Sequence, residues 1–396
     1  MMKRLKYIIG IVGMLTIVFS MGCVEEFEAK INDVGIDGLV IEGNIISDST
    51  VVFKLSRTLP LTQTEENAGL FDDRWVKDAD LAVKGSDGSV WQGSYLFRKG
   101  EYAVSIGKLH EDVEYHLEIL YGGDVYQSKP QQPLPCSGIE KMTFSQLDSL
   151  KSVIIRLDSK ETDLSETKYY MWYFEEDWEL HAHYVTTDLY DVNTDEIVHY
   201  DYPPVAQGWC YSGTDQILLG STETTLENRI VGKIINTIPC ADDRLSVLYS
   251  IRVQQRNLSL REYEYYQERN KLNSGMGGLF TPQPSELPTN VTCSDSERKV
   301  IGYVGCNMGV AYHQLYINSD EVLYMDSYYC GEHDVPSGSY KQKYNNGYQV
   351  ADIERNGAML SIKWVRIPCV DVTSQKADPT GRPAWWPNPY LYYPGE

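Results

Sequence analysis

Positively charged residues are scarce in this sequence. The 396 residues include 35 Lys and Arg against 56 Asp and Glu, which gives a formal net charge of −21 at pH 7. A field of this sign repels phosphate backbones, so the composition argues against a nucleic-acid partner. The length suits two or three domains, and 42% hydrophobic residues are enough for sizeable cores.

Sequence signatures of catalysis are missing as well. The chain contains no GxSxG nucleophile elbow, P-loop, HExxH helix or glycine-rich dinucleotide fingerprint. It also has no CxxC pair, and its cysteine spacings fit neither a zinc ribbon nor a thioredoxin-type site. We therefore predict a protein without enzymatic activity and without a cofactor.

Histidine is rare, and His181 and His183 form the best-placed pair for a metal. Alternate residues of a strand point the same way, so the two imidazoles would share one face. His199 or the acids of Glu175–Glu179 could approach them. A polar, solvated strand face explains the same pattern without a metal, so a metal-dependent hydrolase is only a minor alternative.

Long apolar runs are absent after residue 19, and the run before it is short. It follows the basic residues Lys3, Arg4 and Lys6, and Ser20-Met21-Gly22 leads from it to Cys23. Residues 7–19 are too few for a permanent span, which needs ~20 residues. The pattern resembles a bacterial lipoprotein signal over residues 1–22, although Ser20 stands where Leu is usual. We expect lipidation of Cys23; the alternative is ordinary cleavage and release.

Residues 23–35 would then form a tether. Glu25, Glu26 and Glu28 follow Cys23 closely, and this acidic cluster resembles the signal that sends Bacteroidota lipoproteins to the cell surface. A merely solvated tether is the alternative. The chain contains eight cysteines, and lipidation of Cys23 would leave seven. We expect at least one disulfide, with one thiol left over.

Residues 36–135 alternate between apolar and polar side chains in short runs. Val51, Phe53 and Leu55 share one strand face, for example, and turn sequences separate the runs. This spacing predicts an antiparallel sandwich. Leu109 lies six residues before Tyr115, as in the tyrosine corner of fibronectin type III domains, so we predict a fibronectin type III/immunoglobulin-like fold. Prolines 130, 133 and 135 indicate the domain boundary.

Residues 136–396 predict a larger β-rich domain that contains one amphipathic helix. Val247, Tyr249, Ile251 and Val253 alternate with more polar residues, as in a half-buried strand. Ser259 and Glu262 form a capping-box pattern, which places the helix near residues 259–273. The mainly β fold class is therefore predicted for both domains.

An ordered set of motifs resembles a known family. They are Val40–Gly43, Lys54–Thr58, Tyr249–Gln254, Leu258-Ser259, Phe280–Ser285, Val300–Tyr303 and Trp385–Asn388. The set is similar to a Bacteroidota lipoprotein family that contains domain of unknown function 4249. The resemblance implies a surface lipoprotein, often encoded near TonB-dependent outer-membrane receptors, and it implies no catalytic residue. It also leads us to expect a close cysteine pair near the C-terminus, where only Cys369 stands.

Aromatic residues interleaved with polar ones suit sugars, peptides or a protein partner. The candidate binding surface comprises Trp172, Trp178, Tyr184, Trp209, Trp385 and Trp386. A tyrosine-filled β core is the alternative for any single residue. The run Trp385–Tyr393 cannot bury itself, so it either packs across the second domain or docks on a partner.

The sequence therefore predicts an outer-membrane, surface-exposed lipoprotein. In this interpretation it is a non-enzymatic accessory or binding subunit of a TonB-dependent nutrient transporter. A stand-alone glycan- or protein-binding adhesin is the main alternative.

Overall fold

The computed structural model is mainly β, with strands as the predominant secondary structure of the described residues. The described residues are 38–58, 74–146, 152–162, 168–202, 204–213, 217–274, 287–326, 330–356 and 359–386. The predicted leader, Cys23 and the tether over residues 23–35 lie outside these ranges. Within them, no helix has the length and apolar character needed to cross a membrane.

The strands and helices follow one another closely along the chain. The first strands are β1 (Leu39–Glu42), β2 (Asn44–Ile46), β3 (Ser49–Arg57), β4 (Asp80–Gly85), β5 (Val90–Tyr95), β6 (Glu101–Ile106), β7 (Tyr115–Tyr121) and β8 (Asp124–Ser128). Then come β9 (Ile139–Ser145), β10 (Val153–Ser159), β11 (Tyr169–His181), β12 (Asp188–Asp191), β13 (Glu196–His199), β14 (Gln207–Gly213), β15 (Leu218–Ser221), β16 (Lys233–Ile238) and β17 (Leu248–Leu258). The last elements are α1 (Leu260–Ser274), β18 (Val291–Cys293), β19 (Val300–Gly302), β20 (Gly305–Asn307), β21 (Ala311–Asn318), β22 (His333–Asp334), α2 (Tyr340–Asn345), β23 (Tyr348–Asn356) and β24 (Met359–Arg366).

The first sandwich is a strongly curved sheet whose two halves face each other. Its strand order is β18-β8-β7-β4-β5-β6-β3-β1-β19. Strand β5 joins the halves, because its first residues pair with β4 and its last residues pair with β6. Phe53, Leu81 and Val104 are fully buried between the halves. The alternation of apolar residues in β3 therefore predicted its buried face correctly.

The predicted tyrosine corner is confirmed. Leu109, Tyr115 and Leu117 are buried, and the phenol oxygen of Tyr115 accepts a hydrogen bond from the backbone N–H of His110 at 3.0 Å. The phenol thus satisfies a backbone donor in the turn before β7, as in fibronectin type III domains. The predicted fold class, a fibronectin-like sandwich followed by further β structure, is correct.

The first sandwich also takes strands from the region beyond residue 136. Strand β18 pairs with β8 in antiparallel fashion, while β19 and β20 run parallel to β1 and β2. Val304 is fully buried in the same core. The sequence prediction assigned these residues to the second domain. The boundary at residue 135 stays a prediction, but the strands of the first sandwich come from both sides of it.

The second sandwich packs a small sheet against a larger one. The small sheet has the order β16-β10-β9, and the larger has the order β14-β11-β17-β21, with β15 also paired to β11. Ile155, Trp172 and Tyr249 are among the fully buried residues between them. Strand β11 extends past the edge of the small sheet. Its final residues therefore lie outside the core between the two sheets.

The remaining elements form a C-terminal unit around Trp364. The hairpin β23–β24 carries β22 at its edge, and the hairpin β12–β13 and helix α2 pack on it. Cys330 and Cys369 form a disulfide within this unit. The expectation of at least one disulfide is confirmed, but more than one thiol is left over. The free cysteines within the described residues are Cys136, Cys210, Cys240, Cys293 and Cys306.

Helix α1 occupies Leu260–Ser274, close to the predicted 259–273. Its first turn forms only half of the predicted capping box. The hydroxyl of Ser259 accepts a hydrogen bond from the N–H of Glu262 at 3.2 Å. The Glu262 carboxylate instead forms a fully buried ion pair with Arg256 of β17, at 2.6 Å. The helix is therefore attached to the sheet through Glu262 in its first turn.

Candidate functional site

Strand β11 separates two surfaces of the second sandwich. Tyr170, Trp172 and Phe174 point toward the small sheet and are buried. The alternate residues point to the opposite side of the larger sheet, because successive side chains of a strand alternate between faces. We call that side the outer face. Its central residues are Tyr173, Glu175, Asp177, Tyr211, Ser250, Arg252, Gln254, Tyr312, Gln314 and Tyr316.

The register of the four strands arranges the outer face in rows. One row runs Tyr211, Asp177, Ser250, Tyr316 across β14, β11, β17 and β21. Neighbouring strands lie ~4.8 Å apart, so each row brings its side chains into contact range. The outermost tyrosines are largely exposed, at 62% for Tyr211 and 59% for Tyr312. The result is an open aromatic surface with a polar centre.

Carboxylates form that polar centre. Glu175 makes an ion pair with Arg252 on the neighbouring strand. Burial raises the pKa of Asp177 to about 6, and the negative charge of Glu175 adds to the rise, while Arg252 opposes it. Burial and Glu175 also raise the pKa of Tyr211 to about 12. Asp177 is therefore partly protonated in mildly acidic solution, whereas Tyr211 stays neutral.

The C-terminal tryptophans close one end of the outer face. Trp386 is buried beside Trp209 and Leu248, and its indole N–H donates to Glu179 at 2.9 Å. Trp385 stays 39% exposed, with its ring centroid 6.2 Å from that of Tyr316. For these two residues, packing across the second sandwich is the observed outcome. Residues 387–393 of the aromatic tail lie outside the described part of the chain.

Glu179 is a buried carboxylate that holds this end together. It is 1% exposed and accepts hydrogen bonds from His181 at 2.7 Å, Gln207 at 2.5 Å and Trp386. Burial acts to raise its pKa, but these hydrogen bonds outweigh burial and hold the pKa below its usual value. The ionised carboxylate thus fixes the position of Trp386.

A concave surface lies on the side of the larger sheet opposite the outer face. It is an open cleft of about 560 Å³, lined by Trp178, Leu180, Ser212, Ala241, Asp242, Asp243, Arg244 and Gln375. We call it the Arg244 cleft. The guanidinium of Arg244 donates to both carboxylate oxygens of Asp242, at 3.0 and 2.8 Å, and to buried Glu176 at 2.7 Å. These bonds hold Arg244 in a fixed orientation at the cleft wall.

The six aromatic residues predicted as a binding surface occupy different places. Trp209, Trp385 and Trp386 meet at one end of the outer face, whereas Trp178 lies in the Arg244 cleft. Trp172 is fully buried, stacks on Tyr170 at 5.8 Å and donates to Gln255 at 2.8 Å, so it belongs to the core. Tyr184 lies in the C-terminal unit, where its hydroxyl donates to the carbonyl of Cys330 at 3.3 Å.

Tyr173, Tyr211, Tyr312 and Arg244 are not among the six residues predicted as a binding surface. The alternation of Tyr312, Gln314 and Tyr316 in β21 was a usable signal, since it places all three on one face. Arg244 lies in a single 3-10 turn, Asp243–Leu245, before β17, and no local pattern indicates that it faces Trp178.

The histidines considered for a metal do not converge. His181 contacts Glu179, His183 contacts Asp326 at 3.3 Å, and His199 contacts Asp188 at 3.0 Å. Among the described residues, no three His, Cys, Asp or Glu side chains are grouped closely enough to hold a metal ion. The three histidines are instead each placed beside a different carboxylate.

Two solved structures with which the chain shares similarity are distant from it. A segment of two fibronectin type III domains from chicken tenascin is 11% identical, with 55% of this chain and 90% of that chain covered and a TM-score of 0.15. A DUF4785 family protein from Legionella pneumophila is 10% identical, with 55% and 52% covered and a TM-score of 0.17. These scores are too low to carry a functional argument.

Comparison at the family level is more informative. No curated protein matches the chain. A family described as "Domain of unknown function (DUF4249)" matches residues 24–308. This range contains the first sandwich, including β18–β20, and most of the second sandwich. The protein therefore belongs to the DUF4249 family.

Proposed function

We propose that this protein is an outer-membrane lipoprotein, lipidated at Cys23 and facing the cell exterior. In this role it is a non-enzymatic accessory subunit of a TonB-dependent nutrient transporter. The outer face is the surface that contacts the transporter barrel. The lipid keeps the protein beside the barrel, so a modest docking surface is sufficient, because tethering raises the effective concentration of the two partners.

The observation that carries this proposal is the open aromatic sheet face. Tyr173, Tyr211, Tyr312 and Trp385 are at least one-third exposed on one side of a single sheet. Exposed tyrosine and tryptophan side chains are enriched at protein interfaces, since each offers a rigid apolar ring with a polar edge. Clustered exposed aromatic groups support a docking role more strongly than scattered ones.

The proposed location at the outer membrane is supported by the sequence alone. The basic region, the apolar run and the small residues before Cys23 support export and lipidation, and the acidic residues after it support surface display. Replacement of Cys23 by Ser should leave an unlipidated precursor that is lost from the outer-membrane fraction. Membrane attachment of the Cys23→Ser protein with a lipid still present would contradict this part of the proposal.

The partner is tested by affinity purification from outer membranes in a mild detergent. The full chain carries a tag after Glu396, and mass spectrometry identifies the proteins that accompany it. We expect a TonB-dependent barrel in nearly equal amount. Isolation of the lipoprotein alone, under conditions that preserve other outer-membrane complexes, would overturn the accessory role.

The docking surface is tested with matched variants. The double change Tyr211→Ala/Tyr312→Ala removes the two most exposed rings of the outer face. We expect recovery of the barrel to fall roughly tenfold or more, as for central interface residues. Phe97→Ala is the control, because Phe97 is 89% exposed but lies in the β5–β6 turn of the first sandwich. Equal recovery with both proteins would exclude the outer face as the docking surface.

A further inference from the structure

The Arg244 cleft has the chemistry of a ligand site, and the proposed docking surface does not use it. It lies on the opposite side of the larger sheet from the outer face. Its volume, about 560 Å³, falls within the ~300–1,000 Å³ typical of small-molecule sites. Trp178 and Leu180 give it an apolar floor, and Ser212, Asp243, Arg244 and Gln375 give it polar walls.

Several hydrogen-bonding groups in the cleft remain available. A guanidinium has five N–H donors, and Arg244 uses three of them on Asp242 and Glu176. Within the described residues, neither the indole N–H of Trp178 nor the hydroxyl of Ser212 has a protein hydrogen-bond partner. Donors and acceptors therefore surround an aromatic ring, and a bound molecule could reach all of them.

The charges in the cleft favour a neutral ligand. The three carboxylates of Glu176, Asp242 and Asp243 lie close to the single guanidinium of Arg244, so an anion would meet excess negative charge. A cation would find Glu176 and Asp242 already paired with Arg244. Asp243 in turn accepts a hydrogen bond from the hydroxyl of Tyr324 at 2.8 Å. An anion is therefore repelled, and a cation would have to compete with the protein partners that all three carboxylates already have.

We propose that the Arg244 cleft binds a neutral saccharide. The apolar face of a sugar ring packs on Trp178, and the ring hydroxyls exchange hydrogen bonds with Arg244, Ser212 and Gln375. A polyhydroxylated ring suits this site because it offers an apolar face together with many donors and acceptors. Saccharide binding in this cleft does not depend on the transporter role, because the proposal requires the purified protein to bind the sugar without a barrel.

The test is isothermal titration calorimetry of the purified full chain in detergent. The probes are maltotriose, cellotriose, xylotriose, mannotriose and chitotriose, with trigalacturonate and trilysine as charged comparators. We expect at least one neutral trisaccharide to bind with a dissociation constant in the millimolar range or tighter. No binding by any of the five, or tighter binding of a charged comparator, would overturn the proposal.

Variants locate the site. Trp178→Ala should weaken saccharide binding roughly tenfold or more, while Trp178→Phe should keep most of it, because phenylalanine retains an aromatic face. Phe97→Ala is the control, since Phe97 is an exposed aromatic residue in the β5–β6 turn of the first sandwich. Should Trp178→Ala fail to fold, Ser212→Phe fills the cleft from its wall and should abolish binding. Unchanged affinity in a folded Trp178→Ala or Ser212→Phe protein would overturn the assignment.

Discussion

Asp177 lies at the centre of the outer face, between Tyr211 and Ser250 in its row. Burial and the neighbouring Glu175 raise its pKa to about 6 from an ordinary value of 3.8. The folded protein therefore binds more protons than the unfolded chain between about pH 4 and pH 6. Stability falls as the pH rises through this window, and the cost of the charged form persists above it.

Replacement of Asp177 by Asn should remove this cost. We expect Asp177→Asn to raise the free energy of unfolding by about 1 kcal/mol at pH 8, after allowance for solvent screening of a partly buried group. Near pH 4 the aspartic acid is already protonated in the folded protein, so the variant should gain little. Urea unfolding at the two pH values measures the difference.

The matched control is Asp112→Asn, which changes an exposed aspartate in the loop before β7. It should leave stability nearly unchanged at both pH values. An equal gain at pH 4 and pH 8 for Asp177→Asn would show that proton binding is not the cause.

Individual residues could be predicted from the sequence to different degrees. Tyr115 was predictable, because its role depends on Leu109 only six residues away and on an apolar alternation around it. The raised pKa of Asp177 was not predictable, because burial in the folded sheet is its main cause and the opposing charge of Arg252 comes from another strand. The sequence also grouped Trp172 with Trp178, although one lies in the core and the other in a cleft.

At the scale of elements, the start of α1 combines a local signal with a tertiary contact. Ser259 caps the helix as its sequence predicts, but Glu262 pairs with Arg256 inside the protein. Gly305 makes this possible, because a Cβ atom there would come within 2.5 Å of the Glu262 carboxylate. A capping-box pattern contains no information on such a distant glycine.

Removal of one partner from this pair should be costly. Glu262→Gln leaves the Arg256 charge uncompensated in the interior, so we expect a loss of about 3 kcal/mol of unfolding free energy. Glu264→Gln is the control on the same helix, since Glu264 pairs with exposed Arg261 and should cost at most ~0.5 kcal/mol. Chemical denaturation measures both. Equal losses in the two variants would contradict the importance of the buried pair.

A disulfide cross-links the C-terminal unit. Cys330 and Cys369 are 39 residues apart, and Cys369 is fully buried beside Val365 and Val370. Loss of this cross-link should destabilise the unit by about 3–4 kcal/mol, mainly because the unfolded chain regains freedom. The double variant Cys330→Ala/Cys369→Ala should therefore lose hydrogen-exchange protection in β23 and β24.

Cys240→Ala serves as the control, because Cys240 carries a free thiol in another part of the chain. Protection in β23 and β24 should be unaffected by this change. Unaltered protection in the double variant would show that packing around Trp364 is sufficient without the disulfide.

At the scale of the whole molecule, the first sandwich is assembled from two distant parts of the chain. Strands β1–β8 precede residue 136, whereas β18–β20 follow helix α1. Alternation predicted the strands of the first group, but β18 and β20 were not predicted, and parallel pairing between β1 and β19 leaves no local pattern in the sequence. Short strands such as Val300–Gly302 could be assigned to either sandwich on the basis of sequence alone.

The isolated first region should therefore be incomplete. We expect residues 38–135 alone to lack cooperative unfolding, since Val291, Val304 and Cys306 contribute to its core. Addition of residues 287–308 through a flexible linker should restore a cooperative transition in circular dichroism. Cooperative unfolding of residues 38–135 with the same midpoint, with or without the added strands, would contradict this expectation.

The pairings of β1 with β19 and of β8 with β18 also leave two sheet edges without their partner strands while the chain is being made. Ile41 and Gly302, which are register partners, lie about 260 residues apart. At ~5–20 residues per second, a ribosome needs roughly 13 to 50 s to make the intervening chain. During that delay β1 and β8 are open edges that could pair with strands of other chains. The nascent protein should therefore depend on a holding chaperone until residue 307 has been made.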